Sequence, residues 1–277
     1  MIIELHAHTH YSRGEKVLYD GLDSPQEMVK QAKAKGIGML AITDHNHMAG
    51  LKEAREAGKK AGILIIPGEE VGTTAGHMIG LGLSEAIPPG LTAEETADKI
   101  REQGAFSIAP HPFDIKMDGL RRKALLCDAV ETFNPFNFDR ISNWRAHRFA
   151  ERNGIKTTAG SDAHSKELVG WGTVEAEVHD VDDALKALRK GAYTSNARYP
   201  PLSCIKAYAV GKLQKSYGHT RTYIDENYKF PKDLISTGML KLVHMSPGHI
   251  DILFDTLAYT AFGGVVLYSA AIALADA

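Results

Sequence analysis

Several short stretches of this sequence carry side chains that bind metals: His6-Ala7-His8, Asp44-His45, Glu69-Glu70, Gly76-His77, Pro110-His111 and Asp162-Ala163-His164. On an extended strand end, a His-x-His spacing points both imidazoles to the same side. One such pair is too short to mean much alone, but the whole series is far more specific. Neutral imidazole combined with carboxylate suits Zn, Mn or Fe. No cysteine belongs to the series. Cys127 and Cys204 lack the paired spacing of a zinc-thiolate site and read as small buried thiols in a reducing, cytoplasmic setting. A His/carboxylate set without cysteine argues for catalysis over a closed structural zinc site.

The elements that must position these side chains alternate. Short apolar runs at 2–5, 39–43, 63–66, 78–83, 105–109, 129–133 and 156–159 read as strands buried on both faces. Ser24-Pro25-Gln26-Glu27 and Thr92-Ala93-Glu94-Glu95 are capping boxes opening helices, the first ending at Gly36. Helices are also expected over 139–153 and 182–190, ended by Gly154 and Gly191. Alternating strand and helix implies a mainly parallel sheet. Chemically active residues follow strand after strand at the C-terminal end. In a closed barrel those ends converge on one mouth, whereas an open sheet would string them along an edge. The expected fold is therefore an α/β barrel, possessing a C-terminal extension.

The composition is that of an ordinary globular protein, 44% hydrophobic and 24% charged, and the net charge of -2 gives no overall bias toward nucleic acid. The functional series begins at His6, so no signal peptide is expected before it. The composition shifts near residue 200, which suggests a barrel over 1–200 and an extension over 201–277. Every metal-binding candidate precedes residue 165, so the barrel is expected to function without the extension. Residues 256–275 hold no charge and would reach about 30 Å as a helix. That length fits either a C-terminal membrane anchor or a buried, oligomer-forming helix. The oligomeric state is not legible.

The motifs His6-Ala7-His8-Thr9, Ile42-Thr43-Asp44-His45-Asn46, Pro67-Gly68-Glu69-Glu70, His111-Pro112 and Gly160-Ser161-Asp162-Ala163-His164 together resemble, in order and spacing, the PHP (polymerase and histidinol phosphatase) domain family. The resemblance covers about residues 1–199. It implies a distorted (β/α)7 TIM-like barrel that binds two or three divalent metals at its mouth and hydrolyses phosphoesters. By motif, His6, His8, Glu70 and Asp162 would hold a first metal. Glu70 would bridge to a second, bound by His77 and His111, and His45 and His164 would hold a third. Glu69 is expected to be an exposed or supporting acid. The family usually places an acid or histidine soon after His-x-His-Thr, where this chain has Arg13-Gly14. Asp20 is the chosen replacement for the third metal, Glu15 the alternative, and loss of that ligand a third possibility.

The resemblance implies hydrolysis by metal-activated water, with Glu70 and Asp162 central to the chemistry. Asp44 would orient ligands, or else cap a helix. Arg13 and Asn134 are the expected substrate contacts, and Glu131 a supporting residue. Arg140, Arg145 and Arg148 read as a solvated helical face. A small-molecule phosphoester is the favoured substrate. The alternatives are a nuclease or proofreading activity on oligonucleotides, and a non-catalytic, membrane-tethered metal-binding module.

Overall fold

The computed structural model describes residues 1–247 and 251–275. The chain begins β1 (Ile2–Glu4), α1 (Pro25–Ala34), β2 (Met39–Ile42), α2 (Leu51–Ala61), β3 (Leu64–Thr73), β4 (Gly76–Leu81), α3 (Ala93–Glu102) and β5 (Phe106–Ala109). It continues β6 (Ala129–Phe133), α4 (Ile141–Asn153), β7 (Lys156–Ala159), β8 (Gly172–Glu175), α5 (Val181–Lys190) and β9 (Thr194–Ala197). Four helices follow: α6 (Leu202–Lys215), α7 (Tyr217–Asn227), α8 (Lys232–His244) and α9 (Asp251–Ala275).

All nine strands join one sheet, ordered β7-β6-β5-β4-β3-β2-β1-β8-β9, that curls into a nearly closed barrel. Strand alternation builds its two sides. Met39 and Ala41 of β2 pack inward with Ile3, Ile79 and Ile108, where Leu185 and Leu188 of α5 also pack. Leu40 and Ile42 pack outward against Met28 and Ala32 of α1. Both capping boxes form as expected, at Ser24 and Thr92. Gly154 and Gly191 end α4 and α5 in the left-handed conformation that glycine adopts most readily.

Between β7 and β8 the barrel is joined by a side chain and not by a ladder. Ser161 Oγ accepts from Trp171 N and Gly172 N, each at 2.9 Å, and donates to Gly172 O at 3.1 Å.

The sheet is less parallel than the alternation of strand and helix implied. β3 runs straight through Pro67-Gly68-Glu69-Glu70 and turns back into β4, so β3, β4 and β5 are antiparallel. The short strands β8 and β9 add antiparallel pairs beyond β1. β9 is exposed throughout, so no apolar run announced it. α2 buries only Ala54 and Gly58, and its charged surface hid it in the same way.

The extension is packed onto the barrel. Tyr208 of α6 is buried in the cluster that includes Met28 and Leu40. α9 packs against α4. Among the described residues, no helix is long and apolar enough to cross a membrane. The segment 256–275, expected as either an anchor or a buried helix, includes residues whose side chains lie outside those described.

Candidate metal centre

The site is assembled by pairings beyond the strand ends. Past β1, His8 N donates to Ala163 O at 2.9 Å and Ala163 N to His6 O at 3.2 Å. That pairing sets His6 and His8 beside Asp162 and His164. An isolated bridge joins His45 to Glu70, and another joins His77 to Gly119. His111 and Asp162 adopt φ values of 29° and 49°, which non-glycine residues rarely occupy. Such backbone persists where surrounding structure over-determines it, and functional sites are where it concentrates.

Glu70 is fully buried at the centre. Its Oε1 lies 3.2 Å from His77 Nδ1 and 3.1 Å from His111 Nε2. Its Oε2 lies 3.2 Å from both His8 Nε2 and His45 Nδ1, and 3.5 Å from His6 Nε2. Each oxygen thus faces a different group of imidazoles. Asp162 Oδ1 stands 3.3 Å from His6 Nε2, His8 Nε2 and His164 Nδ1. Asp20 Oδ2 is 3.1 Å from His164 Nε2 and 3.4 Å from His45 Nε2. All nine predicted metal-binding side chains therefore converge.

The supporting contacts settle which ring nitrogens carry protons. Glu131 Oε1, a pure acceptor, takes His6 Nδ1–H at 3.0 Å. Ser12 Oγ spends its single proton on Asp44 Oδ1 at 2.7 Å, so it accepts from His8 Nδ1–H at 3.1 Å. The Asp162 carbonyl accepts from His164 Nδ1–H at 2.7 Å. In the neutral rings each Nε2 is then a bare lone pair turned into the site. His6 Nε2 and His8 Nε2 are only 3.0 Å apart. Glu70 Oε2 and Asp162 Oδ1, both buried, find no hydrogen-bond partner. Lone pairs crowded on lone pairs need a cation between them.

The donor atoms fit that need. Three sets each lie within 4.8 Å: His6, His8, Glu70 and Asp162; His45, Glu70 and His77; and His8, His45 and His164. His/carboxylate donors with no sulfur match Zn, Mn or Fe. The electrostatics agree. Burial alone would push the Glu70 and Asp162 carboxyls up, but the facing imidazoles hold both well below the usual range. Burial likewise pulls on His6, yet Asp162, Glu131 and Glu70 raise it well above an ordinary histidine.

Asp44 is not a helix cap, since α2 begins at Leu51 and its capping position is Gly50. It accepts from Thr9 N, Thr9 Oγ1 and Ser12 Oγ, and so holds Ser12 under His8. Glu69 is buried on the opposite face of β3, where it accepts from Ile87 N at 2.8 Å. Burial raises its carboxyl to about 7. Arg13 is exposed, stands over the Tyr19 ring at 5.4 Å and does not line the site cavity. Asn134 does line it, but its amide protons both serve carboxylates, Glu131 Oε2 at 2.8 Å and Asp162 Oδ2 at 3.1 Å. It positions ligands where a substrate contact was expected. Glu15 is exposed, whereas Asp20 reaches both His45 and His164.

Sequence reasoning missed Ser12, Tyr208 and Lys212. Ser12 follows the His-x-His-Thr motif closely enough to have been suspected. Tyr208 and Lys212 are one helical turn apart on α6 and donate to Asp20 Oδ1 at 3.1 and 2.8 Å. A Tyr and a Lys at that spacing are too common to signal anything. Lys116 also escaped notice, and among the described residues it is the one Lys or Arg lining the cavity of about 170 Å³.

The PHP domain family profile matches residues 4–262. An uncharacterised protein of Methanocaldococcus jannaschii is 44% identical over 149 residues, covering 52% of this chain and 87% of its own length. A 3′,5′-nucleoside bisphosphate phosphatase of Chromobacterium violaceum is 35% identical over 147 residues, half of this chain and 48% of that protein. The barrel also superposes on the crystal structure of a two-domain Bacteroides vulgatus protein described as containing a predicted PHP-like metal-dependent phosphoesterase. The TM-score is 0.58 at 19% identity, covering 72% of this chain and 65% of that one.

Proposed function

The chain belongs to the PHP domain family of metal-dependent phosphoesterases, and from that premise we propose that it hydrolyses a phosphoester at a di- or trinuclear centre built on Glu70. The observation that carries this reading is the division of Glu70 between two groups of imidazoles, one at each oxygen. Divalent metals there would activate a water and neutralise charge on the phosphoryl oxygens.

The protein's own side chains do the rest. His6, His8, Glu70 and Asp162 form one metal position. Glu70, His77 and His111, with His45 nearby, form a second, and His45, His164 and Asp20 a third. Glu131, Ser12, Asp44 and Asn134 fix the ligands' orientation and proton positions, a role such supporting groups commonly fill. Lys116 is the cation available to a phosphate. The small cavity admits the scissile phosphoryl group and its immediate neighbours. The relative named a nucleoside bisphosphate phosphatase supports a phosphomonoester reading.

The test is hydrolysis of p-nitrophenyl phosphate and of bis-p-nitrophenyl phosphate by Mn- or Zn-reconstituted protein, with bound metal counted by elemental analysis. Two or three metals per chain with monoester turnover is the expected result. Protein that binds metal stoichiometrically but hydrolyses neither compound would sink the reading.

A further inference from the structure

We infer that Asn143 is a positioning residue for the metal centre and acts on it through Asn134. The inference rests on the phosphoesterase reading and deepens it, but its test is read on bound metal as well as on turnover.

Asn134 stands just past the end of β6, where the ladder to β7 stops at Phe133. It is fully buried, and buried peptide groups need partners. Asn143, in the first turn of α4, supplies them. Asn143 Oδ1 accepts from Asn134 N at 3.1 Å, and Asn143 Nδ2 donates to Asn134 O at 2.9 Å. One amide thus holds both backbone groups of Asn134, as a neighbouring strand would. The backbone donor and acceptor also fix which end of that amide is oxygen. Its Oδ1 further accepts from Asn137 Nδ2 at 2.9 Å, and its Nδ2 further donates to Tyr199 OH at 2.9 Å. All four bonding positions of the amide are filled.

The start of α4 does not need this amide. The Asp139 carboxylate accepts from Ser142 N at 2.7 Å and from Ser142 Oγ at 3.0 Å. Asparagine is also a poorer helix former than alanine. What Asn143 secures lies toward the metal centre. With its backbone held, Asn134 directs its two amide protons to Glu131 Oε2 and Asp162 Oδ2. Glu131 in turn holds His6 Nδ1, and Asp162 Oδ1 is left facing His6, His8 and His164.

The outer end of this chain of contacts is also anchored. Tyr199 follows β9 and is half-buried. Its ring meets Phe133 edge to face, with centroids 5.0 Å apart, and the Arg140 guanidinium stands 4.9 Å from it. These contacts place the hydroxyl that Asn143 Nδ2 meets. A segment beyond the last strand thereby bears on two carboxylates of the centre.

The test is a double-mutant cycle on the full-length protein. Variants are loaded with Mn for turnover of p-nitrophenyl phosphate and with Co(II) for the visible spectrum, which reports ligand geometry. Asn143→Ala is expected to lower kcat about tenfold, as loss of groups that orient metal ligands does. Its Co(II) spectrum should shift in the same sense as that of Asn134→Ala. Combining the two should leave kcat at the Asn134→Ala value, because the route through Asn134 is already cut. Asn143→Ala should still lower the Tm of metal-free protein in that background, since its bonds to the backbone are lost either way. Tyr199→Phe keeps the ring and removes one hydroxyl, so it stays informative if Asn143→Ala does not fold. It should lower kcat about threefold, the worth of one hydrogen bond, and change nothing further once Asn134 is alanine. Losses of kcat that multiply in the combined variants would overturn the inference. So would a wild-type Co(II) spectrum in folded Asn143→Ala. Wild-type protein that binds metal without hydrolysing would sink the phosphoesterase reading, and the Co(II) spectra would then decide the positioning role alone.

Discussion

Lys212 Nζ donates to Asp20 Oδ1 at 2.8 Å, across 192 residues of sequence. Tyr208 OH donates to the same oxygen at 3.1 Å, and Lys212 and Tyr208 are themselves 3.1 Å apart. Asp20 Oδ2 is thereby left facing His45 and His164. The helix that clamps Asp20 lies in the part of the chain whose composition seemed unrelated to the site. Lys212→Met with Tyr208→Phe is expected to lower activity about 10–100-fold, the usual cost of losing groups that orient a metal ligand. Bound metal should fall by one equivalent while the first position stays filled. A chain ending at residue 200 should show the same loss, contrary to what the composition alone suggested. Full metal content in both proteins would show that Asp20 orients itself.

Glu70 and Asp20 should separate by severity. Glu70→Gln removes a charge that both imidazole groups face, so hydrolysis should drop to background and metal content should collapse. The barrel should stay folded, because the side chain sits above the packed interior and not within it. Asp20→Asn should cost far less, and Glu15→Gln nothing, since Glu15 is exposed while Asp20 faces His45 and His164. Near-normal turnover in Glu70→Gln would refute the bridging assignment.

Much of this was legible because metal chemistry restricts residue type so strongly. His6, His8, Glu70 and Asp162 stood out since few other reasons place imidazoles and acids after successive strands, and the resemblance to the PHP family grouped them as one set. The strands carrying them were readable from their apolar runs. The antiparallel turn of β3 into β4 was not, because a buried strand reads alike in either direction. Asn134 was assigned to substrate since sequence cannot show that its amide protons are already taken. Ser12 at least stood close behind the His-x-His-Thr motif, but Tyr208 and Lys212 act through contacts made only in three dimensions, and nothing in their types or spacing sets them apart.

Protein stripped of metal should show a particular pH dependence. Burial pulls His8 and His111 down, but the facing carboxylates of Glu70 and Asp162 outweigh it and raise both to about 9. The unfolded value is about 6.5. A raised histidine stabilises the folded state fully below its unfolded pKa, and that contribution is lost as pH climbs through the folded one. Glu70 and Asp162 are depressed by the same imidazoles, so their contribution is present above about pH 4.5 and lost on acidification. Stripped protein should therefore be most stable from about pH 4.5 to 6.5 and lose stability toward about pH 9. Metal must displace these protons, so loading should release acid into a weak buffer near pH 7 and weaken as pH falls. Melting curves in EDTA that hold steady or rise between about pH 6.5 and 9 would contradict the arrangement.

The last prediction concerns a position where a methyl group should disable the centre mainly by displacing a supporting carboxylate. Gly160 precedes Ser161 and Asp162 and lies against the carboxylate that holds His6. A Cβ there would sit 2.0 Å from Glu131 Oε1 and 2.8 Å from His6 Cβ. Glu131 has nowhere cheap to go. Its Oε1 accepts from His6 Nδ1, while its Oε2 accepts from His111 N at 3.0 Å and from Asn134 Nδ2 at 2.8 Å. Moving it breaks contacts to two ligand residues and to the amide that steadies Asp162. Gly160→Ala should therefore destabilise the fold by about 1–3 kcal/mol, as overpacking does. Activity should fall about 10–100-fold through misplaced ligands. Glu131→Ala in the same background removes the colliding side chain, so it should restore much of the stability and none of the activity. Recovery of both would show that Glu131 does not orient His6, and Gly160→Ala with wild-type turnover would show that the collision is relieved by a shift the site does not feel.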